Sequence, residues 1–192
     1  MNDGSHGVLQ GYEVNRHTMS ILPHIYEGRP VSKVIEETEE FIVLMKPLQI
    51  VERSCFYYGT SFRGRREGTY KIIGISYKAP IAIEPSNMIY LFPTLSPKKS
   101  LCAWISHPHV QDHKPVAGNK TDVIFVNKTN IELPISHRSF KNQLHRTAQL
   151  QTKLTDRIDN NNRKMAFLLT PEKKNGRKSS HSYIMEDKSK HD

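Results

Sequence analysis

The sequence predicts an α+β protein that is mainly antiparallel β, barrel- or sandwich-like, with one long amphipathic helix near residues 136–158 and a flexible C-terminal tail. Three observations predict this class. Short β-branched or aromatic runs recur along the chain, bounded by Pro, Gly, Asn or Ser. The segment 136–158 contains no Gly or Pro and has helical periodicity. Beyond residue 158 the composition is too polar to bury a core of its own.

The β-rich part of the chain is indicated by nine short apolar runs. Their number, together with eleven prolines, favours a barrel or sandwich over repeated βαβ units. The segment 31–41 is compatible with either a strand or a helix. The predicted strands are residues 18–23, 40–46, 48–52, 69–76, 80–85, 87–93, 101–106, 122–127 and 130–135.

A basic loop is predicted between two of these strands, where Arg63, Arg65 and Arg66 surround Gly64. An extended Arg-Gly-Arg backbone can lie close to a surface while its guanidinium groups reach along a groove. The minor groove of A/T-rich DNA is narrow and strongly negative, and it attracts inserted arginine. We therefore expect these four residues to contact DNA, with Arg65 as the leading candidate. The alternative is a solvated basic loop without a ligand.

The predicted helix begins after Ser136, which is a favourable N-cap residue. A solvated helix face normally mixes both signs of charge, but only Asp156 interrupts this basic face. We expect its cations to meet or flank phosphates, and these are Arg138, Lys141, Arg146, Lys153 and Arg157. The opposite side carries Phe140, Leu144, Thr147, Ala148, Gln151, Leu154 and Ile158, with Leu150 at its edge, and serves either the core or a dimer contact.

Charge supports a polyanionic partner. The chain holds 28 Lys and Arg against 19 Asp and Glu, a net charge of +9. Residues 1–45 carry three basic and seven acidic side chains, whereas residues 46–135 carry twelve and six. A basic body behind an acidic lead segment is typical of proteins that bind nucleic acid, although a soluble protein of high pI is the plain alternative.

The predicted organisation has three parts: a flexible N-terminus at 1–10, a single DNA-binding domain at 11–158, and a flexible basic tail at 159–192. The sequence contains no run of 18 apolar residues, so no membrane span is predicted. Residues 1–15 do not resemble a secretory signal. A cytoplasmic location with two reduced cysteines is therefore expected.

Catalytic and metal sites are not predicted. No nucleophile elbow, Walker loop or His-Glu-x-x-His motif occurs, so we expect no enzyme and no cofactor. Cys102, His107, His109 and His113 are of the residue types that bind zinc, but their spacing matches no standard finger. A zinc-dependent protein therefore remains a minor alternative.

A second nucleic-acid alternative rests on the aromatic residues near the arginines. Tyr57, Tyr58 and Phe62 could stack on the bases of RNA or of another single strand, in a nonspecific binding module. This hypothesis requires the rings to be exposed.

Six segments of the chain resemble the ComK family of competence transcription factors from bacilli and relatives. They are "MKPLQIVERSC" (45–55), "GRREGTY" (64–70), "PSNMIYLFPTLS" (85–96), "WISHPHV" (104–110), "LPIS" (133–136) and "QLHRTAQLQTKLTDRID" (143–159). The resemblance covers about residues 11–171. It implies a transcription activator that binds paired A/T-rich boxes from the minor-groove side, as two dimers on one promoter. It also implies RNA polymerase as a partner and a location at the nucleoid.

The resemblance further implies control by proteolysis. In the family, a short C-terminal Phe-Met-Leu-x-Pro-like segment is captured by the adaptor MecA, which delivers the factor to the ClpC–ClpP protease. The matching segment here is Phe167, Leu168, Leu169, Thr170 and Pro171. Leu168 takes the place of methionine, a nearly volume-conserving exchange that a hydrophobic groove should accept.

Overall fold

The computed structural model describes residues 7–169, apart from the side chains of Phe167 and Leu169. The described chain contains ten strands and three α-helices, which confirms the α+β, mainly antiparallel class. The strands are β1 (Gly7–Leu9), β2 (Thr18–Tyr26), β3 (Arg29–Glu36), β4 (Glu40–Val43), β5 (Ile81–Glu84), β6 (Ile89–Pro93), β7 (Trp104–Ser106), β8 (Val110–Val116), β9 (Lys120–Phe125) and β10 (Asn130–Leu133). The helices are α1 (Pro47–Tyr57), α2 (Phe62–Ile73) and α3 (His137–Leu169).

Two sheets organise the fold. The larger has seven strands in the order β1-β4-β3-β2-β7-β6-β5, and the smaller has three in the order β10-β9-β8. Within them, β1 pairs with β4 in parallel, and the other pairs are antiparallel. The hairpin β2–β3 turns at Glu27 and Gly28, which both have a positive φ.

The larger sheet is buried on both faces. Ile21 and Trp104 lie in a cluster with Ile50 and Val51 of α1, whereas Met19 and Ile105 lie in a cluster with Phe140 of α3. Because side chains alternate along a strand, one strand contributes to both clusters. The molecule therefore has three layers: α1 and α2, the larger sheet, and the smaller sheet with the first turns of α3.

A third apolar cluster joins α2 to α3 at the β5–β6 end of the larger sheet. Leu150 of α3 is almost fully buried there with Tyr90 of β6, and Ile72 and Leu154 pack against them. This cluster matters for the site because it fixes two basic helices against each other.

Seven of the nine predicted strands are confirmed, and two are wrong. Residues 48–52 lie in α1, and residues 69–73 of the predicted strand 69–76 lie in α2. Pro47 at the start of α1 and the left-handed Gly74 after α2 are the helix signals that outweigh the β-branched residues between them. The open segment 31–41 belongs to β3 and to the beginning of β4.

The ends of the predicted domain differ from the structure. Residues 7–9 of the segment expected to be flexible form β1. The helix predicted near 136–158 is confirmed but continues to Leu169, because no Gly or Pro interrupts it before Pro171. The predicted boundary at residue 158 thus falls inside α3, and most of the predicted tail lies outside the described residues.

Candidate nucleic-acid interface

The segment containing Arg63, Gly64, Arg65 and Arg66 is the beginning of helix α2. The prediction of an extended loop is therefore wrong. The Oγ of Ser61 accepts a hydrogen bond from the amide of Gly64 at 3.0 Å, so the helix has an N-cap that satisfies one of its free donors. Four residues separate α2 from α1, and Gly59 has a φ of 71° in that connection. The sequence signal for a helix was this serine, not the arginines.

The three arginines of α2 point to different surroundings. The Nη2 of Arg65 donates to the carbonyl oxygen of Ile83 in β5 at 2.8 Å. Its charge also lies close enough to lower the pKa of the Cys55 thiol, which burial raises to about 11. Arg65 is half-buried and is held by the protein itself.

Arg63 and Arg66 face solvent. The side chain of Arg63 is 89% exposed, and its Nε pairs with Glu67 Oε1 at 2.8 Å, one turn further along the helix. Exposed pairs of this kind are weak and are readily exchanged for another anion. The guanidinium of Arg66 lies 5.7 Å from the centre of the Phe62 ring and donates to the carbonyl of Ser76 at 3.3 Å.

An open groove runs along the exposed side of α2. It encloses about 580 Å³, and three of its lining residues are cationic. Among the lining residues in the described chain, Glu67 is the one acid. The groove is lined by Arg63, Arg66, Glu67, Tyr70, Lys71 and Ser76. Its charge and shape suit an anionic backbone.

The aromatic residues near the arginines separate into half-buried and exposed groups. Phe62 packs edge-on against Trp104, with ring centres 5.9 Å apart, and the hydroxyl of Tyr58 donates to the carbonyl of Val14. Tyr57, however, is 68% exposed, as is its neighbour Phe56 at the end of α1. Phe56 is an additional exposed ring, and its place next to Tyr57 just ahead of Gly59 is the sequence signal that could have identified it.

The basic face of α3 is exposed over most of its length. Arg138, Lys141, Lys153 and Arg157 are exposed, whereas Arg146 is half-buried and donates to Gln143 Oε1 at 3.3 Å. The opposite side is anchored by Phe140, whose ring lies 5.4 Å from that of Phe92. The predicted division of α3 into an apolar and a basic side is confirmed.

Direct contact joins the two basic helices. The Nζ of Lys153 donates to the carbonyl of Ile72, near the C-terminal end of α2, at 3.1 Å. That carbonyl belongs to the last turn of the helix, where a cation is favoured. The structure thus brings the outward arginines of α2 and the cations of α3 onto neighbouring elements.

Two histidines meet where α3 begins. The Nδ1 of His113 in β8 lies 2.8 Å from the Nε2 of His137, so one ring donates a hydrogen bond to the other. Burial lowers the pKa of His113 first, and the nearby His137 lowers it further, followed by Lys141 and His145. Asp112 opposes this shift.

Ser136 caps α3 as expected, because its Oγ accepts a hydrogen bond from the amide of Ser139 at 3.2 Å.

Three of the four residues considered for zinc have separate partners within the protein. The Sγ of Cys102 donates to the carbonyl of Leu95, and His109 bonds through its two nitrogens to Ser106 and Glu37. His113 is occupied by His137. Within residues 7–169, no three His, Cys, Asp or Glu side chains are grouped so that they could hold a metal ion.

Comparison with known proteins shows to which family this chain belongs. The model of the family described as ComK protein matches residues 9–159. The chain belongs to the ComK family. The competence transcription factor of Bacillus subtilis (strain 168) is 48% identical over 172 residues, which cover 89% of this chain and 90% of that protein. No solved structure matches the chain.

ComK membership agrees with two expectations from the sequence. The resemblance to that family is confirmed. The expectation that the chain is not an enzyme fits the relative, which is a transcription factor. No α-helix within residues 7–169 has the length and apolar character needed to cross a membrane.

Proposed function

We propose that this ComK family member is a DNA-binding activator of competence genes and that it reads paired A/T-rich boxes through the minor groove. The observation that carries the proposal is the contact of Lys153 with Ile72, which places the C-terminal end of α2, the helix of the exposed arginines, beside the basic face of α3. A duplex presents one groove between two rows of phosphates. A pair of adjoining cationic helices offers groups for both features.

The two helices take different roles in this proposal. Arg63 and Arg66 enter the minor groove, because their guanidinium groups have only weak surface partners. Gly64 exposes backbone between them. Arg65, first expected to read DNA, supports α2 from the inside through its bond to Ile83. Phosphates are met by the side chains of Arg138, Lys141, Arg146, Lys153 and Arg157.

The family resemblance supports further partners. We propose that the chain forms homodimers that pair into a tetramer on a promoter, and that it acts together with RNA polymerase in the cytoplasm, at the nucleoid. Phe167, Leu168 and Leu169 form the last residues of α3, where Leu168 is exposed, and Thr170 and Pro171 lie outside the described residues. We keep this segment as the proposed contact for MecA and ClpC–ClpP.

Footprinting on a duplex with two A/T-rich boxes tests the proposal. A minor-groove ligand of A/T sequences should displace the protein, whereas a major-groove competitor should not. Affinity should fall with salt, with a slope of about 0.9 per phosphate contacted. Equal affinity for a G/C-rich duplex of the same length would reject minor-groove reading.

Single-strand binding is the second candidate function, and the exposed Phe56 and Tyr57 favour it. Bases stack on exposed aromatic rings with little regard to sequence. Phe62 and Tyr58, the other two proposed platforms, are half-buried and already have partners in the fold, so they are less accessible to bases. Binding of an unstructured oligonucleotide should then exceed duplex binding, and Tyr57→Ala should weaken it. A clear preference for A/T-box duplex contradicts this function.

A further inference from the structure

A second groove lies near the N-terminal end of α1. It encloses about 580 Å³ between the β2–β3 hairpin, the start of α1 and the segment 97–102. This volume is within the range that holds small ligands or a few side chains. Its lining is mostly apolar, with Ile25 and Leu101 exposed to 64% and 66%. None of its residues belongs to the basic surface of α2 and α3.

The charges around this groove favour a carboxylate. Lys46, Lys98 and Lys99 line it, against one acid, Glu52. Within residues 7–169, no carboxylate forms an ion pair with any of the three lysines. The first turn of α1 also carries no acidic side chain, so the positive end of its dipole is not complemented by the helix itself. The groove therefore combines an apolar floor with a cationic rim.

One part of the chain outside the described residues has the complementary composition. Tyr183, Ile184 and Met185 are followed directly by Glu186 and Asp187. From residue 172 to residue 192 no other Ala, Val, Ile, Leu, Met, Phe, Trp, Tyr or Cys occurs, and the surroundings are rich in Lys, Arg and Ser. This short run thus combines an apolar part with an acidic part, just as the groove combines an apolar floor with a lysine rim.

We propose that residues 183–187 bind in this groove, with the apolar side chains against Ile25 and Leu101 and the two carboxylates on Lys98 and Lys99. The fourteen residue steps from Leu169 to Tyr183 span up to about 50 Å when extended. This reach equals the length of α3, about 50 Å for its 33 residues, so a segment that turns back along the helix regains the sheets where the groove lies. Tethering raises its effective concentration to about the millimolar range, at which even a weak site is filled.

Photo-crosslinking in the full-length chain tests the proposal. Benzoylphenylalanine is placed at Tyr183, and the crosslinked peptides are mapped by mass spectrometry. We expect the crosslinks to concentrate on residues 23–31 and 97–102. Mixing chains of two isotopic compositions reports whether the segment binds its own chain or a second copy, and either result supports occupation of the groove.

Charge exchange provides the decisive control. The double change Glu186→Lys and Asp187→Lys should lower the crosslink yield at least five-fold. Adding Lys98→Glu and Lys99→Glu to the same chain should restore most of it, because the pairing is rebuilt with opposite signs. Glu172→Lys, a reversal in the same tail outside the run, should leave the yield unchanged. Crosslinks that map elsewhere, or a yield that the reversal does not alter, overturn the proposal whether or not the chain binds DNA.

Discussion

Helices α2 and α3 both carry closely spaced cations, but they distribute them differently. In α3 the cations occupy one side, while Phe140, Thr147 and Leu150 fill the other. In α2 the arginines diverge, since Arg65 reaches a carbonyl of β5 while Arg63 faces solvent. A count of positive residues does not distinguish these arrangements. The position of each cation around the helix determines whether it is available to DNA or supports the fold.

The largest effect is expected from a change on the apolar side of α3. Phe140→Ala removes a fully buried ring that packs against Phe92, and it should lower the free energy of unfolding by about 3–5 kcal/mol. Urea denaturation measures this loss. Lys141→Ala, the next residue on the exposed side, is the matched control and should change stability little. A small effect of Phe140→Ala would show that α3 is not anchored at this point.

The outward arginines of α2 should dominate DNA affinity. Arg63→Ala combined with Arg66→Ala is expected to cost about 1–3 kcal/mol of binding for each side chain that reads the groove. Fluorescence anisotropy on A/T-box and G/C-rich duplexes measures the change. The A/T-box complex should lose more affinity than the G/C-rich one.

Arg138→Ala with Lys141→Ala should instead weaken binding to both duplexes equally and reduce the slope of affinity against salt. The reverse assignment of effects would exchange the roles of the two helices.

Arg65→Ala should act on stability before it acts on binding. The change leaves the carbonyl of Ile83 without its side-chain donor, at a cost of about 1–3 kcal/mol. Thermal unfolding with and without DNA separates the two effects. Arg66→Ala, one residue further on, is the control and should leave the unfolding temperature nearly unchanged. Full stability of Arg65→Ala together with lost DNA binding would restore Arg65 as the groove-reading residue.

Gly68→Ala tests whether the glycine at this position in α2 is required by the fold or by contact with DNA. A Cβ at Gly68 would meet no atom within 4 Å, so the fold itself has room for alanine. The substitution should stabilise the helix by up to about 1 kcal/mol. If a DNA strand passes close to this position, affinity should fall despite the added stability. Unchanged affinity would place the duplex on the other flank of α2.

Acidic pH should lower the stability of the protein through His113, which contacts the start of α3. Because the pKa of His113 in the folded state lies below its ordinary value of about 6.5, protons bind the unfolded chain more readily. Its contribution to stability is complete above that ordinary pKa and is lost as the pH falls through it towards the folded-state value. Unfolding temperatures between pH 7.5 and 5 should decrease less for His113→Gln than for the original chain. Parallel curves would exclude His113 as the cause.

The sequence predicted α3 well because its signals are local and repeated. Ser136 marks the start, and the apolar positions recur at helical spacing up to Ile158. It failed on α2, where two glycines and several arginines obscured the cap at Ser61. The internal partner of Arg65 could not be predicted, because Ile83 is 18 residues away and becomes a neighbour only when β5 joins the sheet.

The strand β1 closes one margin of the larger sheet, and it consists of three residues laid in parallel on β4. A short edge strand offers few free backbone groups with which a strand of another chain could pair. Shortened versions that begin after Leu9 would expose the amide and carbonyl groups of β4 and favour artificial strand pairing. Measurements of self-association should therefore keep this N-terminal segment intact and carry any purification tag well ahead of Gly7.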